Sequence, residues 1–126
     1  MKLPSILRIL VLLPFLMGAA TITLVNTPNP NGTPNQIQGS GQWGLDPNDP
    51  KSVFNGLQYL VTLKGSSPPQ TTQQTLTKQP KDANWSITLT VAAATYNPCT
   101  ATLYWIDGKG KQQSATVKNT NDQVVK

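Results

Sequence analysis

Five aspartates (Asp46, Asp49, Asp82, Asp107 and Asp122) and one thiol, Cys99, are the side chains most suited to proton transfer or attack near neutral pH. The chain has no histidine and no glutamate. A Ser-His-Asp arrangement is therefore impossible. A Ser-Lys pair stays open on composition, but no S-x-x-K motif accompanies it. A glycosidase-like pair would need two carboxylates facing each other across a cleft. Asp46 and Asp49 are too close in sequence for that, and each is followed by proline. Aspartate is a favoured turn residue, and all five lie in turn-like or terminal segments. Asp46-Pro47-Asn48-Asp49 offers oxygens to calcium but lacks the glycine and closing carboxylate of an EF-hand loop, so it reads as a Pro-stiffened turn. Zinc needs clustered Cys and His. Cys99 has no imidazole nearby to act as its base, and reads as a small buried hydrophobe rather than a reactive thiol or an intermolecular disulfide. The expectation is a protein that is not an enzyme, with no catalytic or metal-ligating residues and no cofactor.

The elements around these residues are strands. Trp85, Ile87, Leu89 and Val91 alternate with Ser86, Thr88 and Thr90. Cys99, Ala101, Leu103 and Trp105 alternate with Thr100, Thr102 and Tyr104. A period of two means one apolar face inward and one hydroxyl-rich face outward. Leu57 to Lys64 repeats the pattern with Leu57, Tyr59, Val61 and Leu63 inward, and Lys111 to Lys118 follows the Asp107-Gly108 hairpin turn. Thr21 to Val25 and Gln36 to Trp43 are shorter strands. Gly39 and Gly41 in the latter suggest a bend, a bulge or the close approach of another backbone. Thr71 to Thr77 is a weak, mostly polar strand, as an edge strand would be. About seven strands in roughly 100 residues, with no amphipathic helix among them, predict an all-β, two-sheet antiparallel sandwich. The predicted core is Tyr59, Val61, Leu63, Trp85, Ile87, Leu89, Val91, Leu103 and Trp105.

The N-terminus is a separate object. Lys2 and Arg8 precede the apolar run Ile9 to Met17, and Gly18-Ala19-Ala20 supplies small residues for a signal peptidase. This layout predicts a hydrophobic signal helix over residues 1–20, cleaved after Ala20. The alternative is an uncleaved anchor, since apolar character resumes at Ile22, Leu24 and Val25. The predicted organisation is a signal peptide at 1–20, an N-terminal strand and Pro/Asn-rich linker at 21–35, the sandwich at 36–118 and a polar tail at 119–126. The formal charge of +5 falls to +3 once Lys2 and Arg8 leave (5 − 2 = 3). The remaining lysines are scattered and no arginine accompanies them, which argues against nucleic acid and for solubility and edge protection. A lone cysteine leaves an exported domain without an internal disulfide, so its core must suffice.

Two aromatics are candidates for stacking against a sugar or other ligand. They are Trp43 and, on the opposite parity to Leu103 and Trp105, Tyr104. Asn31-Gly32-Thr33 and Asn84-Trp85-Ser86 fit the glycosylation pattern. The run Trp85-Ser86-Ile87-Thr88-Leu89-Thr90-Val91, then Ala94-Thr95-Tyr96, then Asp107-Gly108-Lys109-Gly110-Lys111, resembles the C-terminal half of bacterial immunoglobulin-like (fibronectin III-like) exported domains. Gln38-Gly39-Ser40-Gly41-Gln42-Trp43 is similar to the strand that opens them. The sequence departs from that pattern at Asn97-Pro98, which lengthens the interval before Asp107, and at Lys111, which stands where asparagine is usual. The strand after Tyr96 is accordingly expected to start late or carry a bulge. The resemblance implies an immunoglobulin-like sandwich, an exported habitat and no catalytic residues. The expected function is that of a non-catalytic structural or interaction domain, secreted, periplasmic or on the cell surface. The alternatives are a carbohydrate- or ligand-binding accessory module and a stalk anchored by an uncleaved N-terminal helix. The expected partner is a protein or a glycan, with the membrane touched only through the N-terminal segment.

Overall fold

The computed structural model describes residues 20–126. The predicted signal helix and its cleavage site fall almost wholly outside these residues. The strands are β1 (Thr21–Ile22), β2 (Val25–Pro28), β3 (Gln36–Gly44), β4 (Val53–Leu63), β5 (Thr71–Leu76), β6 (Asn84–Thr90), β7 (Ala94–Ile106), β8 (Gln112–Asn119) and β9 (Gln123–Val125). They form two antiparallel sheets. In the first, β3 pairs with β6, and with β1 and β2. In the second the order is β5-β4-β7-β8, with β9 also on β7. Since β1 and β2 pair with successive parts of β3, and β8 and β9 with successive parts of β7, the strands make seven lines. The chain crosses between sheets after β3, β5 and β6, so β3–β6 lies in one sheet and β4–β7 in the other.

Alternation decides what is buried. In β6, Trp85, Ile87 and Leu89 are buried while Asn84, Ser86, Thr88 and Thr90 are exposed. Leu57, Tyr59 and Val61 of β4 and Cys99, Ala101 and Leu103 of β7 meet them from the facing sheet, all fully buried, with Ile37 of β3 and Val91 completing the cluster. Leu63 and Trp105, expected in the core, are only partly buried at its margin. Leu63 follows a register shift at the end of β4, and Trp105 lies at the opposite end of the sheet, paired with Phe54 beside a second shift.

Two segments differ from the sequence-based expectation, and a third resolves an alternative it left open. Residues 25–28, within the predicted linker, form β2, and Pro30–Gly32 is a 3-10 turn. Residues 119–126, expected as a tail, contain β9, and Val125 is 2% exposed. Val125 joins the core cluster and pairs with Ala94 of β7, which draws this polar stretch into the sheet. The strand expected to start late after Tyr96 or to carry a bulge begins at Ala94 and runs through Asn97-Pro98, with the bulge. Between the pairs Val61–Cys99 and Leu63–Tyr96, β4 advances two residues and β7 three, so the extra residue lies in β7, and the β8–β9 line breaks opposite it at 120–122. The Asn97 side-chain amide donates to the Thr120 carbonyl (2.8 Å) and to Asp122 (2.7 Å), filling that break.

Gly41 shows the close approach of another backbone. The line β1–β2 is interrupted at Thr23, whose carbonyl accepts the Trp85 indole N–H at 3.0 Å. A Cβ on Gly41 would collide with that same carbonyl. Gly39, two residues earlier, leaves room for the Tyr59 ring. At the start of β7 the Tyr96 hydroxyl donates to the Ala92 carbonyl at 2.7 Å, fixing the turn between β6 and β7.

Candidate functional site

The aspartates are engaged in holding loops. Asp107 Oδ1 accepts the backbone N–H of Lys109 and of Lys111, each at 2.9 Å, and its Oδ2 accepts from Gln113 (2.9 Å). These donors hold its carboxyl below the usual carboxylate range, the Gln113 amide most of all. Asp49 reaches across from the β3–β4 connection and accepts the Gly108 N–H at 2.8 Å. Asp46 accepts the Asn48 N–H at 2.8 Å, closing the Pro-stiffened turn. Asp122 pairs with Lys64 at 2.6 Å and is likewise held low, chiefly by that contact. Among the described residues, no three His, Cys, Asp or Glu side chains converge as a metal site would require.

Cys99 is fully buried. Burial pushes its thiol up to about 11, and the neighbouring Tyr59 hydroxyl only partly offsets this. Burial raises the Tyr59 hydroxyl too, and that hydroxyl donates to Asn26 Oδ1 at 2.6 Å. A thiol kept protonated inside a sandwich is neither a nucleophile nor a metal ligand.

The two aromatics are placed apart. Tyr104 projects from β7 on the outer face of the second sheet, half-buried and in register with Ser114 of β8 and Gly56 of β4. Trp43 ends β3 in the first sheet, where its ring meets Phe54 edge-on, with centroids 5.3 Å apart. The two rings do not share a binding surface. Trp43 is also locked to the β5–β6 connection. Its backbone N–H donates to the Ala83 carbonyl and its indole N–H to the Asp82 carbonyl, both at 2.9 Å. Beside it is an open groove of about 310 Å3, floored by Trp43, Leu45, Pro80 and Ala83 and rimmed by Gln79, Lys81 and Asp82.

Sequence reasoning nominated Trp43 but missed the rim. Residues 79–83 precede the Trp85 strand and carry no periodic pattern of their own. The signal was a Pro-containing loop with adjacent Lys and Asp, and that identifies no ligand until Trp43 is placed beside it. Both glycosylation-pattern asparagines, Asn31 and Asn84, are exposed. No helix among the described residues is long and apolar enough to cross a membrane. Comparison of the chain with protein families, with curated proteins and with solved structures found no match.

Proposed function

We propose that this is an exported, immunoglobulin-like interaction module that acts by holding a partner along a sheet edge, without turning over a substrate. Support for the immunoglobulin-like reading comes from the strand order and one side chain. The β3–β6 pair stacked on β5-β4-β7-β8 corresponds to the two sheets of such domains, and the hydrogen bond from Tyr96 to Ala92 corresponds to their tyrosine corner.

The observation that carries the mode of action is β5. It is hydrogen-bonded to β4 along six residues, and β4 is its one strand partner among the described residues. Its sequence, Thr-Thr-Gln-Gln-Thr-Leu, has no charge and no proline, and no register shift interrupts its pairing. Natural edges are usually guarded by lysine, proline or a bulge. On the opposite edge Lys118 provides such a guard in β8, whereas β5 leaves its outer N–H and C=O groups free for an extended segment of another protein.

The test places a photo-crosslinking residue at Gln74 in the full chain, produced in its own host. The expected result is an adduct with a protein of the envelope or medium that disappears in a Gln73→Lys/Thr75→Lys variant. Both positions are exposed, so the fold should lose no more than about 0.5 kcal/mol. No adduct, or one indifferent to the added lysines, overturns the reading. A second reading, a ligand-binding module, is favoured by the groove beside Trp43. The anchored-stalk reading depends on residues 1–19, which lie outside the described structure.

A further inference from the structure

We infer that the groove beside Trp43 is a saccharide subsite for one neutral pyranose ring. With its N–H engaged by Asp82 and its ring braced against Phe54, Trp43 can offer a ligand only its apolar π surface. The C–H face of a pyranose suits such a surface, but the hydroxyls around the sugar then need polar partners at the perimeter. The rim supplies them. Gln79 brings an amide and Lys81 an ammonium, and neither side chain is hydrogen-bonded among the described residues. Asp82 uses Oδ1 to accept the Asn84 N–H at 2.8 Å, leaving Oδ2 as an acceptor.

Charge narrows the class. Lys81 and Asp82 are adjacent on the rim with opposite charges, so the groove lining carries no net formal charge to favour an anionic or cationic ligand. It matches a ligand rich in neutral donors and acceptors. Size narrows it further. About 310 Å3 is at the lower end of small-molecule sites, which run from about 300 to 1,000 Å3. Part of the wall is fixed before any ligand arrives. Three hydrogen bonds pin residues 82–84 to Trp43 and to one another, so ordering on binding is confined to the free Gln79 and Lys81 side chains.

This inference is independent of the β5 reading, because the groove and β5's outer edge use different residues. The test is an NMR titration of the 15N-labelled exported protein. The neutral probes are chitotriose, cellotriose and maltotriose, and the charged probes are trigalacturonate and the glucosamine trimer. A proline-rich peptide serves as the competing occupant. The resonances followed are the Trp43 indole N–H and the amides of residues 79–84. The expected result is a saturable shift of those signals with at least one neutral trisaccharide, stronger than with either charged one. In Gln79→Ala/Lys81→Ala the affinity should fall at least about tenfold with Tm unchanged, since both side chains are exposed. Tyr104→Ala and Gln73→Lys/Thr75→Lys should leave the shifts in place. The inference is overturned if no neutral trisaccharide saturates these signals, if charged sugars or the peptide bind instead, or if the double variant binds as tightly as the parent.

Discussion

Cys99 illustrates how a single buried group links pH to stability. Its folded thiol sits near 11, whereas an unfolded thiol ionises at about 8.5. Between those values the unfolded chain has lost a proton that the folded chain keeps, so ionisation favours unfolding. The stabilisation is complete below about pH 8.5 and is lost as pH rises toward 11. Thermal melts from pH 7 to 10 should therefore show Tm falling above about 8.5, and Cys99→Ala should flatten that limb. Tyr59 adds its own loss only at higher pH, because an unfolded phenol ionises near 10. An alkaline limb unchanged in Cys99→Ala would mean the thiol is not protected as described. Burial of Cys99 was legible from its parity with Ala101 and Leu103. Its contact with Tyr59 was not, because two strands from distant parts of the sequence bring them together.

At the scale of elements, what the first sheet must accommodate is one carbonyl. Thr23 turns its C=O inward to the Trp85 indole, which splits one strand line into β1 and β2, and Gly41 on the neighbouring strand makes the space. Gly41→Ala should push that carbonyl out, leave a buried indole N–H without its acceptor, and cost about 1–3 kcal/mol by urea unfolding. Amide exchange should quicken at Thr23, whose N–H bonds the Gln42 carbonyl at 2.9 Å. A variant as stable as the parent would show that the approach is not close. The glycines in this strand were visible as an anomaly, but the partner that comes close was not. Strands with strict alternation, such as β6, were legible almost residue by residue because burial repeats with the pleat. β9 was not, since three residues with one inward valine carry no period. The Asn97-Pro98 interval was legible as a late start or a bulge, and the bulge falls in β7 itself, with the break between β8 and β9 opposite it.

For the whole molecule, the two-sheet architecture followed from strand count and turn spacing, whereas the crossings between sheets depend on long-range pairing that spacing does not encode. The Trp43 candidate site was legible as an exposed-aromatic possibility. Its groove was not, because the rim comes from another connection. The proposed export makes its own prediction: the intact mass of protein recovered outside the cytoplasm should correspond to a chain beginning at Thr21, and a mass beginning at Met1 would eliminate cleavage after Ala20. The ends of the described chain also sit at opposite poles. Thr21 pairs with Gly44, where β3 finishes, whereas the backbone of Lys126 is gripped by Asn29 through two bonds of 2.8 and 2.9 Å and by the Asn35 N–H at 2.8 Å, where β3 begins. Tension applied between those poles would run along the strands, so β1 and β9 would have to slide past β3 and β7 with several hydrogen bonds yielding together instead of unzipping one by one. The Asn29 clamp would be one of the first fastenings to feel such a pull.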